Sequence, residues 1–148
     1  MLPERTPPPE LSEAWIRECL NAGAGRATLT VSGTCMAPSL PEGSRVTLRS
    51  PSGSVRVGDV VLLRTPAGLR LHRVLLRFRH TIRTKGDHGI YLDSAGSLAA
   101  VIAVCDTGES RGGRLLKAGR SLASLLIRRL SLRREGREGD VAHTGLLP

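Results

Sequence analysis

At 148 residues and 15.8 kDa the chain has room for one domain and a short appendage, which excludes two globular units. Hydrophobic residues at 40% and charged residues at 24% allow a buried core, while aromatics at 2% (Trp15, Phe78 and Tyr91) exclude a stacked-aromatic platform for single-stranded nucleic acid. The formal charge of +9 rests on 22 basic residues, of which only Lys85 and Lys117 are lysines; it suits nucleic acid, an anionic membrane surface or an acidic partner, and equally an arginine-biased composition.

Residues 1–10 hold Pro3, Pro7, Pro8 and Pro9 and read as an extended lead-in. From Leu11, the segment LSEAWIRECL offers Ser12 as a cap and sets Leu11, Ala14, Trp15, Ile16, Cys19 and Leu20 at helical spacing, so residues 1–26 are a lead-in plus one short helix. NAGAGR breaks it. Residues 27–105 then change to short β-type runs between Gly, Pro and Ser: ATLTVSG, SRVTLRS, DVVLLRT, LRLHRVLLRF, HTIRTKG and LAAVIAVC. Alternation within RVTLR and LRLHRV gives each strand one polar and one apolar face, which predicts a mainly β domain with small hairpins. Residues 106–114 (DTGESRGGR) read as a linker. Residues 115–134 read as a basic amphipathic helix, with Leu115, Ala118, Leu122, Leu125, Leu126 and Leu130 on one side and Lys117, Ser121, Ser124 and Arg128 largely opposite. Its apolar side is expected to pack on the β domain, with an anionic membrane surface as the alternative. The tail, 135–148, has no period and is expected to be mobile.

Cys19, Cys35 and Cys105 are odd in number and lack pairing such as C-x-x-C, so a reducing compartment fits better than a disulfide scaffold. No apolar run approaches the roughly 18–20 residues that cross a bilayer. MLPERTPPPE is charged and proline-rich where a secretory signal carries its apolar stretch. These features predict a soluble, cytoplasmic protein, with peripheral membrane association as the variant.

The stretch richest in chemistry is Val31-Ser32-Gly33-Thr34-Cys35-Met36-Ala37-Pro38-Ser39-Leu40, followed by Pro41-Glu42-Gly43. Gly33 allows close approach of backbone to a substrate, and Pro38 fixes the following turn, so Cys35 can be presented at a cleft. Taken alone, Cys35 reads more readily as a small buried residue than as a nucleophile. Downstream, Gly58-Asp59-Val60-Val61 opens an apolar strand, His72-Arg73-Val74 lies on the next, and Thr84-Lys85-Gly86-Asp87 precedes Asp93. Thiol, imidazole and carboxylate are the three types a nucleophile, its base and an orienting group require. Gly33, Pro38, Gly58 and Gly86 are expected to serve backbone shape rather than contact.

Over roughly residues 29–105 these motifs, in this order, resemble the signal peptidase I group, in the superfamily that also holds the LexA-like self-cleaving repressors. The family's nucleophile motif, Ser-Met-x-Pro after a nearby Gly, stands here as Cys35-Met36-Ala37-Pro38 after Gly33. His72 occupies the base position before Arg73 and Val74, as in the endoplasmic-reticulum type, where Thr-Lys-Gly-Asp is followed six residues on by the aspartate of the triad; here that is Asp93. The resemblance implies Cys35 as nucleophile, His72 as base and Asp93 as orienter, with Asp87, Gly33, Met36 and Pro38 in support. It implies cleavage of an extended peptide after small residues; no cofactor, no metal and no nucleic acid partner are expected. The chain departs from the family in its cysteine, in Ser44 where aspartate is favoured, in His88-Gly89 after Asp87, and in Gly33, where some relatives carry an oxyanion-binding serine. Two rival readings are a non-catalytic peptide-binding or regulatory domain of the same fold, and self-cleavage at Ala22-Gly23 or Ala24-Gly25. Zinc trapped by Cys35, His72 and Asp93 would be inhibitory. Lys85 sits in the Thr-Lys-Gly-Asp turn rather than at the base position, and His80, His88 and His143 read as solvated. The substrate and the oligomeric state stay open.

Overall fold

The computed structural model describes residues 12–23, 25–51 and 55–141, with side chains described as far as residue 129. The proline-rich lead-in and residues 142–148 lie outside the described residues. The first helix, α1, spans Glu13–Asn21, and Ser12 caps it by accepting the Trp15 N–H at 3.2 Å. Its buried side, Ile16, Cys19 and Leu20, packs beside strand β1, Arg26–Thr30.

Six further strands follow: β2 (Arg45–Arg49), β3 (Val60–Thr65), β4 (Gly68–Phe78), β5 (Thr81–Lys85), β6 (Gly96–Ser97) and β7 (Val101–Asp106). They form one antiparallel, open sheet in the order β1-β2-β7-β3-β4-β5-β6. The mainly β class is therefore as expected. The last expected strand, LAAVIAVC, begins late, because Leu98–Ala100 is a 3-10 turn whose cap Ser97 accepts the Ala99 N–H. β6, two residues long, has too short a pattern to be read from sequence.

Burial follows the pleat. Ala27 and Leu29 of β1, and Val46 and Leu48 of β2, point inward while their neighbours are exposed or half-buried. β3 is buried on both faces: Val60 and Leu62 join α1 in one apolar cluster, and Val61 and Leu63 join Val74, Ile82 and Val104 in a second. Ile102 is the extra residue where β7 bulges against Leu62 and Leu63, and Leu75 is the extra residue where β4 bulges against β5. Beyond each bulge the side chains exchange faces, which lets both clusters fill from one sheet.

The second long helix, α2, spans Arg111–Val141. It begins earlier than the sequence suggests, so the connector shortens to 107–110 and much of the expected tail is helical. Ser110 starts it by accepting the Gly113 N–H at 3.1 Å, which offsets the helix cost of Gly112 and Gly113. The helix packs on the domain by a face turned partly away from the expected one. Ala118 is buried and Leu122 and Leu125 are half-buried, yet Leu115 and Leu126 face solvent, while Lys117 and Ser121 point inward with Arg114. Polar groups inside the domain cause this: Asp59, Glu109 and Lys85 require partners, and Arg114, Lys117 and Ser121 supply them. The Leu130 side chain lies outside the described residues.

Candidate active site

Cys35 sits on a loop that leaves β1 and turns twice before β2. Gly33 holds φ +83°, and its N–H donates to Glu42 Oε1 at 3.1 Å. Turns close through Ala37 N–H to Thr34 O at 3.0 Å and Leu40 N–H to Met36 O at 2.9 Å. Met36 is fully buried and anchors the loop in the α1-side core, which leaves Cys35 exposed beside it.

A second loop holds Cys35 from the other side. The Cys35 carbonyl accepts the His88 N–H at 3.0 Å, and Gly86 packs so closely that a Cβ there would lie 2.6 Å from the Cys35 oxygen. Gly86 therefore serves contact, not an unusual backbone angle, which corrects the expectation. Gly58 serves both, with φ +92° and a Cβ position 2.8 Å from the Arg114 backbone.

His72 lies on β4 opposite Val61 and is buried. Its Nδ1 is 2.5 Å from Asp93 Oδ2, and Thr84 Oγ1 donates to the same oxygen at 2.6 Å. Asp93 is further fixed by its own N–H on the Thr84 carbonyl at 2.9 Å and by Arg83 Nε on its carbonyl at 3.2 Å. With Nδ1 given to the carboxylate, Nε2 is the nitrogen left for proton transfer. Thr84 was read only as part of a motif; its role as Asp93's partner emerges from the antiparallel pairing of β4 and β5.

The structure thus brings His72 and Asp93 into contact and leaves Cys35 outside that pair, at the residue before His72. Cys35 Sγ lies 3.8 Å from the Leu71 carbonyl, one residue before His72, and among the described residues no hydrogen bond joins it to His72. The Cys35 amide has no acceptor among the described residues, whereas that of Gly33 is engaged by Glu42. No cluster of three His, Cys, Asp or Glu side chains among the described residues is arranged to hold a metal ion, so the zinc-trapping variant has no geometric basis.

Two further features border the pair. One is a cleft of about 270 Å³ lined by His72, Asp93 and Thr84 with Leu63, Ile82 and Arg70 among the other walls. The other is a strand edge. Thr65 and Gly68 face each other across a two-residue turn, so residues 68, 70 and 72 direct their backbone groups to β3, and Leu69, Leu71 and Arg73 direct theirs away. Arg73 meets Lys85 of β5 there, but Leu69 and Leu71 have no strand beside them among the described residues.

Asp87 does not touch the His72 pair. It binds Arg73 in two-pronged fashion, Nε to Oδ1 at 2.8 Å and Nη2 to Oδ2 at 2.7 Å. Arg73 is fully buried and donates also to the Gly58 carbonyl at 2.8 Å and to Glu109 at 3.5 Å. Lys117 extends the network to Glu109 and, at 3.2 Å, to Ser39 on the cysteine loop. Burial opposes ionisation of Asp87, but hydrogen bonds from Arg73 and Ser39 and the charges of Arg73 and Lys117 hold its carboxyl below the usual range. Burial likewise works against charge on Arg73, and Asp87 with Glu109 more than restores it. Lys85 is buried, donates to Ser121 Oγ at 3.1 Å and to the Gly86 carbonyl at 3.2 Å, and is pushed below the usual lysine value by that burial despite Asp87 and Asp93. The sequence did not point to Glu109, Ser39 or Lys117; their meeting is tertiary and spans 36 and 78 residues of chain.

Comparison with family models, with curated proteins and with solved structures returned no match. Among the described residues no helix is long and apolar enough to cross a membrane.

Proposed function

We propose that the protein is a signal-peptidase-like endopeptidase in which Cys35 is the nucleophile, His72 the base and Asp93 the group that orients it. The observation that carries this reading is the buried His72–Asp93 contact of 2.5 Å, braced by Thr84, beside an exposed cysteine. Cys35 gives its proton to His72 Nε2 and its thiolate attacks the scissile carbonyl carbon. The C–N bond then breaks as the imidazolium returns the proton to the leaving amine, and water hydrolyses the thioester with the same imidazole as base. The reaction requires Sγ to rotate from the Leu71 carbonyl toward the ring. The free Cys35 amide is the donor for the oxyanion, and Gly33 contributes no side-chain donor.

An extended peptide is the substrate class this geometry favours, added along the unpaired Leu69–Leu71 edge of β4 with a side chain in the adjoining cleft. Selection of small residues before the cleaved bond rests on the family resemblance. Free Cys19, Cys35 and Cys105 favour a reducing, cytoplasmic setting. A non-catalytic peptide-binding role has one specific support, the thiol resting on Leu71 rather than on His72. Self-cleavage at Ala22-Gly23 would first require opening the turn closed by Gly25 N–H on Ala22 O at 3.1 Å; Ala24 lies outside the described residues.

The test is intact-mass analysis after incubation with extended peptides carrying Ala, Gly or Ser before the bond. Two fragments, and an acyl adduct on Cys35 after rapid quenching, are expected, and Cys35→Ala abolishes both. Peptide binding by wild type without cleavage or adduct overturns the enzyme reading in favour of the binding one.

A further inference from the structure

The face of α2 turned away from the domain is apolar. Leu116, Leu126 and Ile127 are 65%, 63% and 65% exposed and Leu115 is 46% exposed, the largest run of exposed aliphatic side chains among the described residues. At 100° per residue Leu115, Leu116, Gly119, Ala123, Leu126 and Ile127 fall on one stripe about 120° wide, opposite the Arg114, Lys117 and Ser121 face that grips the domain. Soluble helices place such a stripe against their own core. Here the core-facing side is a mixed one, with Ala118, Leu122 and Leu125 turned inward beside Arg114, Lys117 and Ser121, and the stripe stays off the domain.

Its charge identifies the occupant. Between Arg111 and Arg134 the chain carries no acidic residue. Arg111, Arg120 and Arg129 are exposed beside the stripe, Arg128 is exposed on the opposite side, and none of the four makes an ion pair among the described residues. Pairing two copies through the stripe would bring the flanking arginines together with nothing to neutralise them. An anionic lipid surface instead accepts the leucines among its acyl chains and the guanidinium groups among its headgroups. We infer that α2 is an interfacial helix that lays its Leu115–Ile127 stripe on an anionic bilayer while its inner face holds the β domain, whose Ser39 and Lys85 it touches directly. The protein then works at a membrane surface.

Co-sedimentation of the full chain with vesicles of phosphatidylcholine containing phosphatidylglycerol, at low salt, tests this. Wild type is expected to bind these vesicles, to bind pure phosphatidylcholine at least about tenfold less, and to lose binding as salt rises. The double variant L116D/L126D, both positions solvent-exposed, is expected to keep its fold by circular dichroism and to bind at least about tenfold less. No binding of wild type to the anionic vesicles overturns the inference. So does equal binding by the double variant, which would make the contact purely ionic. A lipid-free dimer in sedimentation equilibrium that L116D/L126D abolishes also overturns it, and makes a second copy the occupant.

Discussion

Gly86 and Asp87 are neighbours with separate tasks. A methyl group at 86 would meet the Cys35 carbonyl oxygen at 2.6 Å, and that oxygen is already held by the His88 N–H, so the strain passes directly to the cysteine loop. Gly86→Ala is therefore expected to cost about 1–3 kcal/mol in denaturant unfolding and to displace Cys35, slowing its alkylation, whereas Gly33→Ala meets open space and carries only the left-handed backbone penalty of about 1–2 kcal/mol. Asp87→Ala strands a fully buried arginine and is expected to cost about 3–5 kcal/mol. The sign of its pH dependence follows from the depressed carboxyl: the stabilisation is complete above the ordinary value of 3.8 and is lost as pH falls through the lower folded value. Acid melting of wild type should steepen in that range, and Asp87→Ala should flatten it. A wild-type melting temperature insensitive to pH below 3.8 would contradict the role given to Arg73–Asp87.

The elements were legible where one face of a segment meets water and the other meets the core. RVTLR of β2 and the first half of β4 alternate for that reason, and the Ser12 cap marks the start of α1. The pattern fails where burial is two-sided or polar. β3 opens with four apolar residues buried on both faces, and α2 keeps Ala118, Leu122 and Leu125 of the expected side inward but turns to include Arg114, Lys117 and Ser121, because its partners are Asp59, Glu109 and Lys85, which no periodicity within the helix can reveal. Cys35, His72 and Asp93 stand out in the sequence because their spacing resembles a family pattern, and the structure joins His72 to Asp93, whereas the bracing network of Glu109, Ser39 and Lys117 exists only once distant segments meet. Ser121 shows what α2 does for the domain. Ser121→Ala removes one of the two hydrogen-bond acceptors of the buried Lys85 ammonium and should destabilise the fold by about 1–3 kcal/mol. Since burial lowers the Lys85 pKa, the unfolded chain keeps its proton longer than the folded one. Stability from this group should thus rise with pH as the ordinary value of 10.5 is approached from the depressed one, and Lys85→Met should abolish that rise. If Ser121→Ala unfolds at the wild-type denaturant midpoint, the inner face of α2 has been misassigned.

Across the whole molecule, the segments of the proposed site come from distant parts of the chain, and α2 packs on β4 and is tied to the cysteine loop through Lys117 and Ser39. Cys35 enters from the β1–β2 loop, His72 from mid-β4 and Asp93 from the segment beside β5. The other two cysteines provide internal standards, because Cys19 is buried against β1 and burial, with Asp106 nearby, pushes the Cys105 thiol up to about 11. A free thiol titrates near pH 8.5, and one beside an imidazolium titrates several units lower. The measurement that bears most directly on a Cys35–His72–Asp93 site is the rate of alkylation of each cysteine as a function of pH, read by peptide mapping in wild type, His72→Ala and Asp93→Asn. The account predicts that Cys35 still reacts at pH 6, at least about tenfold faster than Cys19 or Cys105, that His72→Ala removes this low-pH reactivity and that Asp93→Asn weakens it. Low-pH reactivity at Cys35 that is absent in wild type, or unchanged in His72→Ala, would contradict it.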